Sequence, residues 1–155
     1  MGTLGRAAAE VRAVTAQPPW SSFITLEDIY GLYREGIRRY GGDASNPKPG
    51  CVESSVAAAW NAESYTDAEQ SGIPGLVFAG YLLYYLAMNH CFSDGNKRVA
   101  WTSAMHVLLE HGLTVDASTD EAEQLMLSMI TKSFGDGMAV AHWLAERVVA
   151  VESFR

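Results

Sequence analysis

Apolar residues recur every three or four positions in the first patterned stretch of the chain, which is the spacing of an amphipathic helix. The repeating positions are Ile29, Leu32, Tyr33, Ile37 and Tyr40. Thr25 and Asp28 have the spacing of a capping box at the start of such a helix, and Gly41 and Gly42 follow its last apolar position. The pattern therefore predicts a helix that begins after Thr25 and ends at Gly41.

The middle of the chain contains two segments that we expect at the centre of the fold. From Ser71 or Gly72 to Ala87 the chain is apolar on almost every side, and helices of that kind are buried. A second core helix is predicted at Gly95–Glu110. A shorter helix, Val52–Asn61, precedes both, and the polar residues between it and the first core helix are predicted to form a loop.

The last third of the chain predicts two further helices. Leu113–Val115 is a brief extended segment, and Ser118 with Glu121 has capping-box spacing for a helix that ends near Lys132. Met138–Val149 is predicted as a final amphipathic helix. Strand signals are nearly absent, so the predicted fold class is all-α or nearly so.

Length and composition place the predicted elements in one domain. The chain has 155 residues, of which 48% are apolar and 19% are charged, as is ordinary for a globular protein. Residues 1–22 are rich in Ala, Gly and Pro, and we interpret them as a flexible extension before a domain at 23–155. They lack the apolar core of a secretory signal, so the expected location is cytoplasmic, with Cys51 and Cys91 as reduced thiols.

The charge pattern narrows the classes of partner. The net charge is −7 without a basic stripe, which argues against nucleic acid as the partner. The longest apolar run, Ile73–Met88, includes Pro74 and is shorter than the roughly 20 residues that span a bilayer. We therefore expect neither a nucleic-acid nor a membrane partner.

Reactive side chains are concentrated in the nine residues His90–Arg98, between the two core helices. The start of the second helix offers unpaired N–H groups and a positive dipole end, which together form an anion site, most often for phosphate. Lys97 and Arg98 in the first turn oppose that dipole by roughly 0.3–1 kcal/mol each. Such a departure from the stable pattern indicates function.

Two other side chains of this segment have chemistry that suits phosphate transfer. Asp94 precedes the anion site, and a carboxylate beside phosphate is a common Mg²⁺ environment. His90 is suited to general-base work near neutral pH. Phe92 is expected to point into the core and to fix the loop. Taken singly, Asp94 could instead be a helix cap, His90 a capping or buried polar residue, and the two cations solvated charges.

The segment His90–Arg98 resembles the signature of the Fic/Doc superfamily, and most of all its Doc (death-on-curing) branch, typically H-P-F-x-D-[AG]-N-K-R-T-A. Softer similarity extends over about residues 23–150. It includes Thr25–Ile29, Val52–Val56, Leu108–Leu113 and Val140–Leu144. The resemblance implies a compact helical bundle around two central helices joined by the motif loop.

The resemblance also implies roles for the matching positions. His90 would take the proton from a target hydroxyl, and Asp94 would hold Mg²⁺. The phosphates of ATP would be bound by Gly95, Asn96, Lys97 and Arg98. ATP and Mg²⁺ are therefore the expected cofactors.

Lys97 distinguishes two reactions within the superfamily. Adenylylating Fic enzymes usually have glycine at this position and a second arginine three residues after the first, where this chain has Trp101. The Doc pattern implies protein phosphorylation, with elongation factor Tu as the family's target, translation arrest as the outcome and a Phd-like antitoxin as partner. Two alternatives remain: a protein adenylyltransferase, and a Doc-fold protein with a non-toxin binding or pathway role.

Several details differ from the family pattern. Cys91 replaces the usual proline, and Val99 replaces threonine. The inhibitory motif (S/T)-x-x-x-E-(G/N) is approached at Thr119–Gln124, which ends in glutamine. His106 and Glu110 could suggest a metal site, but no further ligand is close in sequence, and we do not expect one.

Overall fold

The computed structural model describes residues 18–44, 46–66, 72–132 and 135–151, and these contain six α-helices and one small sheet. The helices are α1 (Leu26–Tyr40), α2 (Cys51–Tyr65), α3 (Leu76–Met88), α4 (Asn96–Glu110), α5 (Thr119–Ile130) and α6 (Gly137–Ala145). A short 3-10 helix, Pro19–Ser22, precedes α1, and the strands are β1 (Leu113–Val115) and β2 (Val148–Ala150). The predicted all-α fold class is therefore confirmed, with one two-stranded ribbon added.

Helices α3 and α4 form the centre of the fold, as predicted. Helix α3 packs against α2, α4 and α6, and α4 packs against α1 on its other side. Helix α3 is in close contact with α6, as Gly80 of α3 shows: a Cβ there would lie 2.7 Å from the backbone of Ala141 in α6. Phe78, Leu82 and Leu86 of α3 are almost completely buried. The two central helices thus hold the ends of the motif loop in a fixed relation.

Local signals placed the start of α1 correctly. The Thr25 side chain accepts a hydrogen bond from the N–H of Asp28 at 3.0 Å, and the Asp28 carboxylate accepts one from the N–H of Thr25 at 2.9 Å. The helix ends at Gly41, whose φ is +79°. Both ends of α1 are determined by residues within the helix or next to it, the capping side chains at its start and the glycine at its end, which is why the sequence predicts them.

Three predicted boundaries were wrong. The last helix ends at Ala145 rather than Val149, and Val148–Ala150 pairs antiparallel with Leu113–Val115. Helix α2 continues to Tyr65, through part of the predicted loop. Helix α3 begins only at Leu76. In each case a contact with a distant part of the chain decides the boundary.

The start of α3 shows how such a contact works. Gly75, in a left-handed conformation, precedes the helix and provides no side-chain cap. The carboxylate of Glu63, on α2, accepts hydrogen bonds from the N–H groups of Gly75 at 2.9 Å and Phe78 at 2.8 Å. Helix α2, which was predicted to end before Glu63, therefore provides the carboxylate that caps the start of α3.

The predicted N-terminal extension, residues 1–22, lies mostly outside the described residues, which begin at Pro18 and include the 3-10 helix Pro19–Ser22. Of its described part, Trp20 packs against the core. No helix in the described ranges is both long and apolar enough to cross a membrane.

Candidate functional site

The motif segment forms a tight loop between the end of α3 and the start of α4. His90 lies two residues after α3 and is exposed, with a φ of +51°, in the left-handed region that few residues other than glycine adopt. Its side chain has no hydrogen bond or ion pair with the other described residues. Such backbone geometry persists only where the surrounding structure holds it, and it is frequent at functional sites.

Phe92 anchors the loop in the core. Its side chain is 3% exposed, and its ring stacks on that of Tyr33 with the centroids 3.9 Å apart. The Asn96 amide accepts a hydrogen bond from the Phe92 N–H at 3.0 Å and donates one to the Phe92 carbonyl at 2.8 Å. The amide of Asn96, which sequence reasoning assigned to phosphate, is thus engaged in holding the loop.

Asp94 is exposed, and both of its carboxylate oxygens are oriented by backbone groups. Oδ1 accepts a hydrogen bond from the N–H of Gly95 at 2.8 Å, and Oδ2 accepts a long one from the N–H of Asp43 at 3.4 Å. Asp94 does not cap the first turn of α4, because Gly95 holds the N-cap position. A carboxylate has about four acceptor sites, so this one can still bind a cation.

The C-terminal end of α1 forms one wall of the site. The backbone of Gly42 passes so close to Asp94 that a Cβ there would lie 2.6 Å from Oδ2. The Tyr33 hydroxyl donates a hydrogen bond to the carbonyl oxygen of Asp43 at 3.0 Å. Burial raises the pKa of Tyr33, and the nearby charges of Asp43 and Asp94 raise it further, so the hydroxyl remains a donor.

The first turn of α4 is open to an anion. Gly95, with φ +78°, provides no side-chain cap, and the turn contains no acidic residue. The Lys97 side chain is exposed and has no ion pair with other described residues. The N–H groups of Asn96, Lys97 and Arg98 therefore form a positive helix end with one ammonium group beside it.

Arg98 takes a different position from Lys97. Its guanidinium donates a hydrogen bond to the carbonyl of Gly36 at 3.1 Å and lies over the ring of Tyr40, 4.6 Å from its centroid. This holds the side chain against the last turn of α1. In this conformation Arg98 contributes positive charge to the site from its edge.

The expectation of two reduced cysteines was wrong. Cys51, the first residue of α2, and Cys91, in the motif loop, form a disulfide with their Cα atoms 5.4 Å apart. The default from composition missed it because forty residues separate the two in sequence. Only the fold brings them together.

Sequence reasoning also missed the part of Tyr33, Gly42 and Asp43. The pair of glycines after α1 was interpreted as a helix stop, although Gly-Gly followed by Asp could have suggested a close backbone approach.

His106 pairs with Asp28 at 3.6 Å and with Glu110 at 3.9 Å. The described residues hold no cluster of three or more potential metal ligands from His, Cys, Asp and Glu.

Comparison with known proteins supports the resemblance that the motif carries. A curated relative, Toxin Doc of Mycolicibacterium smegmatis, is 45% identical over 56 residues, which is 35% of this chain and 43% of that protein. The chain thus matches less than half the length of this relative. The sequence model described as the Fic/DOC family matches residues 23–108, more than half of the chain and all of the motif. The chain therefore belongs to the Fic/DOC family.

Proposed function

We propose that this protein is a Doc-like toxin that transfers the γ-phosphate of ATP to a hydroxyl group of a protein. One observation carries the proposal above all: the first turn of α4 has no side-chain cap and no acidic residue, and it contains the exposed Lys97 directly after Asp94, Gly95 and Asn96. A helix start of this kind costs stability unless an anion binds there. Polyphosphate is the anion that the family resemblance implies.

The residues present fit the phosphates of ATP. The backbone N–H groups of Asn96, Lys97 and Arg98 would bind phosphate oxygens, and the Lys97 ammonium would offset their charge. Glycine suits position 95 because its φ is +78°, in the left-handed region that residues with a side chain rarely adopt. Asn96 would act by holding the loop and Arg98 by its charge, as their contacts indicate.

Asp94 is the residue that would hold Mg²⁺. Its carboxylate is exposed and is oriented by two backbone N–H groups, and it retains free acceptor sites. The ion, when bound, would neutralise charge on the phosphates, which is most of what phosphoryl transfer requires. Gly42 and Asp43 keep the carboxylate in place for this.

His90 would act as the general base. Its side chain is exposed on the loop beside α4 and has no hydrogen bond or ion pair with the described residues, so a target hydroxyl can approach it. As the hydroxyl oxygen bonds to the γ-phosphorus, the bond from that phosphorus to ADP breaks, and a ring nitrogen of His90 takes the hydroxyl proton. Removing His90 should lower the transfer rate by about 10²–10⁴-fold.

Lys97 favours phosphate over nucleotide transfer, because a long cation stands where adenylylating relatives have glycine. The test uses ATP labelled at the α or the γ position, with Mg²⁺ and elongation factor Tu or a bacterial extract as substrate, and His90→Ala as control. Label should move from γ-ATP alone. Label from α-ATP alone would identify an adenylyltransferase instead.

The toxin role and the antitoxin partner form the biological part of the proposal. They are supported by the family and by the similarity to Toxin Doc over 56 residues. Expression in a bacterial host should arrest translation and growth, His90→Ala should relieve the arrest, and a small neighbouring gene of Phd type should restore growth. Normal growth with abundant, folded protein would favour a non-toxin role.

A further inference from the structure

The Cys51–Cys91 disulfide joins the first residue of α2 to the residue directly after His90. Cys91 is 1% exposed and lies in the core, whereas His90 before it is exposed. The covalent link is therefore a single residue away from the proposed base. It stands where the family pattern has proline, a residue that stiffens a loop by fixing its φ.

Other contacts join the same segment to α2 and the residues before it. The Asn89 amide donates a hydrogen bond to the Ser55 hydroxyl at 2.8 Å, and that hydroxyl is 3.8 Å from the sulfur of Cys91. The N–H of Lys48 donates to the carbonyl of Cys91 at 2.8 Å. Both neighbours of His90 are thus attached to the same side of the fold.

His90 needs such support, because its positive φ is strained in a residue with a side chain and persists only where the surrounding structure holds it. The disulfide is the covalent one among the contacts that hold its two neighbours, so it limits the movement of the His90 backbone more firmly than a hydrogen bond can.

We infer that Cys51 and Cys91 are positioning residues, whose disulfide holds the backbone of His90 in its left-handed conformation, and that a thiol reductant releases it. This inference rests on the function proposed for His90. In the reduction, a dithiol gives two electrons and two protons, the S–S bond breaks, and the dithiol closes to its own disulfide. Two cysteine thiols remain on the protein.

The first measurement follows structure alone. Mass spectrometry of protein purified without reductant should show the disulfide form, with two hydrogens gained after dithiothreitol. The NMR signal of the His90 ring, assigned by loss in His90→Asn, should then shift or broaden on reduction. The signals of the other three histidines should stay in place, since they lie on or next to α4 and α6.

The second measurement follows transfer. Reduction should lower kcat by about 10- to 100-fold, the range expected for a displaced catalytic group, with little change in the KM for ATP. The double variant C51S/C91S should have the same low kcat as the reduced wild-type protein, and dithiothreitol should not change it. Circular dichroism should show an unchanged helical content throughout.

Three results would overturn the inference. Two of them are free thiols in the protein as isolated and an unchanged His90 signal after complete reduction. The third is global unfolding on reduction, which would show that the disulfide stabilises the whole fold rather than the position of His90. Failure of the proposed function is a separate outcome. A protein that transfers no label in either redox state, yet moves its His90 signal on reduction, would retain the inference about position and lose the one about chemistry.

Discussion

Helices α3 and α4 begin with the same backbone conformation, but the N–H groups at their starts have different partners. Each follows a glycine in the left-handed conformation, Gly75 with φ +82° and Gly95 with φ +78°, and neither receives a cap from that residue. At α3 the carboxylate of Glu63 accepts two of the free N–H groups. At α4 the Asp94 carboxylate accepts from the N–H of Gly95, but no carboxylate of the described residues accepts from the N–H groups inside the first turn, and Lys97 increases the positive charge there.

The difference separates a structural helix end from one that is available to a ligand. The protein satisfies the start of α3 internally, from a residue twelve positions away. Three other helices have caps of their own, from Thr25, Ser118 and Asp136. Helix α2 also follows a left-handed glycine, Gly50, without a side-chain cap, but its first turn contains Glu53. Among the described α-helices, a start with no capping side chain and no acidic residue in the first turn or from a distant helix belongs to α4 alone, as the proposed phosphate site requires.

The largest expected effect concerns the carboxylate beside α4. Asp94→Asn keeps an oxygen for the Gly95 N–H but removes the charge that Mg²⁺ needs. Transfer should fall about 10³-fold, as for loss of an electrostatic group at a reacting centre. The free energy of unfolding should change by less than about 0.5 kcal/mol.

Kinetics and urea unfolding of the same preparation check this pair of effects. A loss of several kcal/mol with intact transfer would show that Asp94 serves the fold. The expected profile is the opposite of the one for Glu63.

Glu63→Ala should break the start of α3 and leave the chemistry in place. It leaves the N–H groups of Gly75 and Phe78 without their acceptor, and hydrogen bonds to a charged group contribute about 1.5–3 kcal/mol each. Unfolding in urea should become easier by about 3 kcal/mol. Ser64→Ala, on the exposed face of the same helix, is the control and should change little.

The sequence predicts those parts of the fold and site that depend on near neighbours. The capping box of Thr25 and Asp28 and the two core helices were found from local spacing. Glu63, the second strand and the disulfide could not be, because each depends on a partner at least twelve residues away. Gly42 was missed for the same reason, since its partner Asp94 follows fifty-two residues later.

Gly42→Ala should show whether transfer depends on the orientation of the Asp94 carboxylate. The new Cβ would lie 2.6 Å from Oδ2, and the flexible carboxylate would have to turn away. Transfer should fall about tenfold at low Mg²⁺ and recover in part at high Mg²⁺, on the scale of a misplaced catalytic group.

Gly41→Ala is the matched control. Gly41 also has a positive φ, of +79°, but a Cβ there would have no atom within 4 Å. Both variants should lose about 1 kcal/mol of unfolding free energy through backbone strain. Equal losses of transfer would remove the carboxylate contact as the cause.

The smallest expected effect is a gain in stability. Lys97→Glu replaces a cation in the first turn of α4 by an anion, which the helix dipole favours by about 0.3–1 kcal/mol. Thermal unfolding without ligand should therefore occur at the same or a slightly higher temperature. A clear decrease would mean that Lys97 stabilises the fold and that the open helix start has another explanation.

The affinity of the Lys97→Glu variant for ATP with Mg²⁺, measured by titration calorimetry, tests the central claim most directly. Lys132→Glu makes the same change in net charge at the exposed end of α5 and is the control. We predict that ATP binds Lys97→Glu at least tenfold more weakly than it binds the wild-type protein and Lys132→Glu. Equal affinity in all three proteins would contradict the claim that the start of α4 is the phosphate site.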